Sequence, residues 1–299
     1  GLWRRQDARP PSGSRQRLMS LRDAVESATR ALEAAGVESA QVDAELLLAF
    51  TLGISRGELQ IKLVMNEEAP DLSAFETLLA RRIEREPLQH LTGVAHFRNL
   101  TLKVGKGVFI PRPETEQLAQ YAIDAAKSYA SESPIVVDLC AGSGAVGIAV
   151  ATELPNTRVY AVELSSDAIE FTRENYATYS PDSVVIHGDA ADGVPELNGQ
   201  VSVVVTNPPY IPNGMVPIYP EVHLHDPEIA LYSGEDGLEL IRKLSKVAAE
   251  LLHEGGTLAI EHADSQSEAI SQLLLADGWR NVVDHQDFNG RPRAVTAIK

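Results

Sequence analysis

One cysteine, Cys140, is all the thiol this 299-residue chain carries. No internal disulfide can form, which suits a reducing compartment, and a cytoplasmic location is expected. A run of about 18 apolar residues is also missing, so no membrane span is expected. Basic residues are outnumbered, 26 against 42 acidic ones, for a net charge of −16. Such a surface repels nucleic-acid phosphates at long range unless a local basic patch reverses it. The balance tilts toward a protein or small-molecule partner, with no direct nucleic-acid substrate. No internal repeat is visible. The one biased tract, residues 1–20, is rich in Arg, Pro and Ser and lacks the apolar stretch of a signal peptide. Its basic character also suits an organellar transit peptide. The reading adopted is an extension ahead of the folded chain, poorly ordered or poorly packed, with Met19 as a natural start.

What is present is ordinary globular material: 44% hydrophobic and 23% charged residues, long enough for two domains. Residues 21–86 read as helical throughout. Leu21, Val25, Ala28 and Leu32 recur at three- and four-residue steps, and Gly36 follows as a stop. Further helices are expected over residues 42–51, 55–65 and 71–85, the last with Arg81, Arg82 and Arg85 complementing its dipole. After Pro87 the apolar runs shorten, and residues 87–112 read as a β-hairpin connector. Pro111-Arg112-Pro113 then makes a stiff corner before a helix near Glu114.

Residues 113–299 form the remaining domain, in which strands and helices alternate from Ile135 onward. Strands are expected over residues 135–139, 158–162, 184–187, 201–206 and 257–261, with an antiparallel pair over 281–285 and 294–298. That alternation predicts a doubly wound, mostly parallel seven-stranded α/β sheet.

The first strand ends in Asp138-Leu139-Cys140-Ala141-Gly142-Ser143-Gly144. Glycines at the carboxyl tip of a first strand let a ligand approach the backbone. Gly142, Gly144 and Gly147 also match the dinucleotide pattern Gly-x-Gly-x-x-Gly, a weak signal alone. Asp138 discriminates between ligands, because a carboxylate there favours a cationic sulfonium or ammonium and repels a pyrophosphate. S-adenosylmethionine is therefore expected over NAD. Glu163, ending the second strand, suits both ribose hydroxyls. Asp189, after the third, suits the adenine amino group, with the Ala190 backbone N–H on the ring. A lone acid is more often a solvated loop or cap residue, but three stand at successive strand ends.

The fourth strand runs into Asn207-Pro208-Pro209-Tyr210. Two prolines cannot continue a central strand, so the chain turns out of the sheet. Asn207 and the Pro208 carbonyl can accept both hydrogens of a planar NH₂ group, aiming its lone pair at the methyl donor. Tyr210 offers a flat wall. A plain strand-ending Asn-Pro turn is the alternative. No strong general base is evident, so positioning and desolvation are expected to carry the rate. No metal site is expected: His223 and His225 have no further ligands nearby in sequence.

The chain resembles bacterial release-factor glutamine N5-methyltransferases of the HemK/PrmC type from Leu21 to Lys299. The resemblance is carried by Pro87-Leu88-Gln89-His90-Leu91-Thr92-Gly93, by Phe97, and by Phe109-Ile110-Pro111-Arg112-Pro113-Glu114-Thr115-Glu116. Asn207-Pro208-Pro209-Tyr210-Ile211-Pro212 and Asp226-Pro227-Glu228-Ile229-Ala230-Leu231 carry it further. Asn-Pro-Pro-Tyr by itself is shared with DNA and RNA adenine methyltransferases.

The resemblance implies a class I S-adenosylmethionine-dependent methyltransferase fold behind an N-terminal helical recognition domain. It implies as acceptor the glutamine of the Gly-Gly-Gln loop of class 1 peptide-chain release factors, and a monomer is expected. In this resemblance Asn207 and Pro208 clasp the glutamine amide, and Phe97, Pro111, Arg112, Pro209 and Tyr210 shape its pocket. Phe97 could equally be hairpin core, and Glu114 and Glu116 an acidic first helical turn. One departure stands out: Cys140-Ala141 replaces the family's usual leading Gly-Thr.

Overall fold

In the N-terminal part of the chain, Ser20 starts the first helix, α1 (Leu21–Ala34), with a reciprocal cap. Its hydroxyl accepts from the Asp23 N–H and the Asp23 carboxylate accepts from the Ser20 N–H. The apolar face Leu21, Ala24, Val25, Ala28 and Leu32 is buried, and Gly36 follows the helix at φ +79. Helices α2 (Ala40–Leu52), α3 (Arg56–Val64) and α4 (Ser73–Ile83) complete the bundle. A computed structural model describes residues 18–129 and 133–299, divided into two compact units that meet between Leu88 and Gln89. The expectation for the N-terminal extension therefore falls outside the described residues up to position 17. Ser20, placed within that extension, belongs instead to the folded unit: it is buried, and the backbone around it pairs with residues 67–69.

Arg81 and Arg82 stand in the last turn of α4, as expected, and their side chains make further ties. Arg82 is buried and donates from Nε to Asp43 Oδ2 of α2 at 2.8 Å, while Arg81 pairs with Glu86. Arg85 lies beyond the helix and reaches the Ala35 and Gly36 carbonyls. Arg82 thus ties α4 to α2, and Arg85 ties the chain after α4 to the end of α1; removing one partner of a buried pair such as Arg82–Asp43 costs roughly 3–5 kcal/mol.

A short helix, α5 (Leu88–Thr92), precedes the hairpin of β1 (Val94–Phe97) and β2 (Leu100–Lys103). The second unit continues with α6 (Thr115–Ser128), β3 (Ile135–Leu139), α7 (Ala145–Glu153), β4 (Arg158–Glu163), α8 (Ala168–Tyr179), β5 (Val184–His187) and β6 (Val201–Thr206). It ends with α9 (Pro220–His225), α10 (Glu239–Leu251), β7 (Leu252–Glu261), α11 (Ser267–Ala276), β8 (Arg280–Gln286) and β9 (Pro292–Ile298).

The seven-stranded sheet has the order β5-β4-β3-β6-β7-β9-β8. All its neighbours are parallel except β9, which is antiparallel to both β7 and β8. Strand residues alternate between two cores. Val136, Val203 and Val205 face α6 and α7, whereas Val137, Leu139, Val201 and Val204 face α10 and α11. Covered on both faces, β3 and β6 are buried at every position, as continuous Val-rich runs require. The order reverses between β3 and β6, so the crevice for a ligand opens at their carboxyl ends.

Candidate active site

That crevice is a cavity within the second unit, lined by the ends of β3, β4 and β6 and by the loops that follow them and β5. Asp138, Cys140, Ala141, Gly142, Ser143, Glu163, Asp189 and Ala190 line one side; Pro111, Arg112, Asn207, Pro208, Pro209 and Tyr210 line the other. Thr115, Pro227 and Ile229 add to the second side. Two expected residues lie elsewhere. Phe97 is fully buried in the core with Leu100 and Leu118, so it anchors the hairpin and does not shape the acceptor pocket. Gly144 sits behind the loop, at φ +87, against Ile148 and Tyr176.

On the donor side, backbone N–H groups arrange the acids. Asp138 Oδ2 accepts from the Gly147 N–H at 3.0 Å. Glu163 bridges the loop, accepting from Gly142 N–H through Oε2 and from Ser165 N–H through Oε1, both at 2.7 Å. Asp189 accepts from the Ala191 N–H. Asp138 is 1% exposed, and burial together with the nearby Glu163 charge pushes its carboxyl up to about 7.

A cation beside it removes that penalty. With Asp138 on its wall, the cavity therefore fits a sulfonium and ammonium carrier and not a pyrophosphate. The third glycine of the dinucleotide pattern has another cause here: a Cβ on Gly147 would sit 2.0 Å from the Tyr176 hydroxyl. Cys140 holds the left-handed region at φ +65, the strain its replacement of glycine predicts. Burial pushes its thiol up to about 12, so it is no nucleophile.

The acceptor side is built from side chains far apart in sequence. Asn207 follows β6 into the cavity, and its side-chain amide has no hydrogen-bond partner among the described residues. Arg112 donates to Asp226 Oδ2 at 2.5 Å and lies 4.9 Å from the centre of the Phe109 ring. Asp226 is buried, its Oδ1 has no partner, and its carboxyl is pushed up to about 6 by that burial, against the pull of Arg112. Glu116 accepts from the Arg98 N–H and so serves the hairpin turn.

Two contributors were missed by sequence reasoning. Glu261 ends β7, 2% exposed, and takes a 2.7 Å bond from Thr115 Oγ1 through Oε2 and a longer 3.5 Å one from the Tyr210 hydroxyl through Oε1. Burial pushes its carboxyl up to about 7 although Thr115 and Arg293 pull it down. Gln266 donates to the Tyr210 carbonyl at 2.8 Å. An acid ending a strand was the available signal, the same one that marked Asp138 and Glu163. No group of acids, histidines and cysteine able to hold a metal occurs among the described residues.

Known proteins match this frame. The PrmC N-terminal domain family matches residues 23–93, and the methyltransferase small domain family matches residues 120–216. The release factor glutamine methyltransferase of Streptomyces coelicolor is 48% identical over 280 residues, covering 92% of this chain and 96% of its own. That of Mycolicibacterium smegmatis is 46% identical, covering 94% and 99%. A 4-amino-L-phenylalanine/4-methylamino-L-phenylalanine methyltransferase of Streptomyces pristinaespiralis is 38% identical, covering 94% and 95%. Among the described residues no helix is long and apolar enough to cross a membrane. The chain is an S-adenosylmethionine-dependent methyltransferase, and with its matched length, its donor-side acids and its Asn-Pro-Pro-Tyr turn it belongs to the release factor glutamine methyltransferase family.

Proposed function

We propose that this enzyme methylates the side-chain amide nitrogen of the glutamine in the Gly-Gly-Gln loop of class 1 release factors. One observation carries this. The Asn207-Pro208-Pro209-Tyr210 turn faces the same cavity as Asp138, with the Asn207 amide left without a protein partner.

S-adenosylmethionine supplies an activated methyl group on a sulfonium. Asp138 would hold its cationic part, Glu163 its ribose and Asp189 its adenine, with Ala190 and the Cys140–Ser143 backbone around them. Asn207 Oδ1 and the Pro208 carbonyl accept the two amide hydrogens of the substrate. Doing so polarises the N–H bonds toward nitrogen and turns its lone pair toward the donor side, where an N–C bond would form as the sulfonium S–C bond breaks and the thioether leaves. Pro209, Tyr210, Pro111 and Arg112 wall in the glutamine and exclude water. No general base touches the nitrogen, so the proton leaves after transfer.

The helical segment 21–86 serves as the recognition domain for the release factor, with residues 87–112 joining it to the methyltransferase domain, 113–299. In this reading the enzyme acts as a monomer in the cytoplasm, where translation is terminated.

A second acceptor, an arylamine amino acid, is favoured by the Streptomyces pristinaespiralis relative, whose name gives that substrate. The deciding experiment follows labelled methyl transfer to wild-type release factor, to a variant with the loop glutamine replaced, to 4-aminophenylalanine and to an adenine oligonucleotide. Label on the wild-type factor alone is expected. Label on the amino acid or oligonucleotide without the factor overturns the proposal.

A further inference from the structure

Two walls of the acceptor side, the turn after β6 and the segment opening α6, share no direct hydrogen bond in the described structure. Both are tied to the end of β7 and the residues that follow it. Thr115, on the cavity, donates to Glu261 Oε2 at 2.7 Å, and Tyr210, also on the cavity, donates its hydroxyl to Glu261 Oε1 at 3.5 Å. Five residues on, buried Gln266 donates to the Tyr210 carbonyl at 2.8 Å and is itself fixed, its Oε1 accepting from the Ala263 N–H at 3.0 Å. Gly237 packs under the same carbonyl, where a Cβ would come within 2.2 Å of it, so no side chain displaces Gln266 from that oxygen. Tyr210 is thus held at both ends from one short stretch of chain. Neither Glu261 nor Gln266 lines the cavity.

We propose that Glu261 and Gln266 are positioning residues for methyl transfer, clamping Tyr210 at its hydroxyl and carbonyl and, through Thr115, setting the separation of the two acceptor walls. Resting on the acceptor site proposed above, this assigns a role to groups that touch neither substrate nor cofactor. Losing the clamp lets the turn drift while the donor acids, held by their own backbone bonds, stay in place. Misplacement by about 1 Å costs on the order of 100-fold in rate, so partial loosening is expected to cost about tenfold.

The test compares kcat and KM for release-factor methylation with the affinity for S-adenosylhomocysteine and the melting temperature. Glu261→Ala is expected to lower kcat about tenfold, with product affinity within about twofold of wild type. Glu261→Gln, which keeps the shape and can bond both hydroxyls, is expected to restore most of it. In a Tyr210→Phe background Glu261→Ala should cost less than in wild type, only what the Thr115 arm carries, because the hydroxyl arm is already gone. Should Glu261→Ala not fold, Thr115→Ala against Thr115→Ser breaks and restores one arm of the clamp alone. Equal loss of product affinity and rate, full additivity with Tyr210→Phe, or a Thr115→Ala variant as fast as wild type each overturns the proposal. Absence of label on the factor with the unaltered enzyme instead removes the acceptor assignment, a distinct failure.

Discussion

The two sides of the cavity are built by different means. On the donor side each acid sits at or just after a strand end and is satisfied by backbone N–H groups close by: Asp138 by Gly147, Glu163 by Gly142 and Ser165, Asp189 by Ala191. On the acceptor side the ties are side chain to side chain and long in sequence, Arg112 to Asp226 and Thr115 to Glu261. Backbone-held acids inherit the rigidity of the sheet. Side-chain-held walls depend on several distant segments arriving together, and they are where a family can change its acceptor while keeping its donor. A relative named for an arylamine amino acid, at 38% identity over nearly the whole chain, fits that division.

The contrast is sharpest at Asn207. Asn207→Ala is expected to reduce methyl transfer by about 100-fold or more, the scale for losing one preorganised hydrogen-bonding group, while S-adenosylhomocysteine still binds. A parallel loss of binding by calorimetry would show that the two sides are not separable.

Next in size is Asp138→Asn, expected to weaken cofactor affinity about tenfold or more while leaving the fold intact, since the amide oxygen still accepts from Gly147. The same carboxyl makes binding pH-dependent. With its pKa near 7 in the free protein, a cationic ligand must displace the proton at lower pH, so affinity rises with pH and flattens above about 7. Titration calorimetry across that range should show proton release in wild type and none in Asp138→Asn. A flat wild-type profile breaks the assignment of the cation to Asp138. For folding the sign is opposite: a carboxyl raised from 3.8 to about 7 contributes stability that is full below 3.8 and lost as pH rises through about 7.

The smallest effect is expected at Cys140→Gly. Removing a Cβ from the left-handed region relieves about 1 kcal/mol of strain, raising the melting temperature by roughly 2–4 °C. A fall instead would mean that thiol packing against the core around Leu139 outweighs the strain.

The same division explains what the sequence made legible. The donor loop, its three acids and the alternating elements are local patterns, each readable within about ten residues. The acceptor turn was readable because two prolines must end a strand. Phe97 was ambiguous because a hairpin aromatic beside a site and one beneath it give the same alternation; only its full burial within the core cluster places it beneath. Two short helices, Leu88–Thr92 and Pro220–His225, escaped because five or six residues hold too little periodicity. Arg112–Asp226 spans 114 positions and Thr115–Glu261 spans 146, separations across which no spacing rule reaches. Glu261 was visible as a strand-ending acid, yet nothing local linked it to Tyr210.

The position of β9 carries a consequence for how the molecule comes into being. Although last of the strands in chain order, it lies between β7 and β8 and runs against both. During synthesis β3, β4, β5 and β6 emerge first and can zip together as parallel neighbours, so the cofactor crevice can take shape on a growing chain. Glu261 has no flanking strand on its outer side until β9 threads in beside it. The enzyme can thus acquire its methyl donor's berth early and its grip on the acceptor only once β9 has followed.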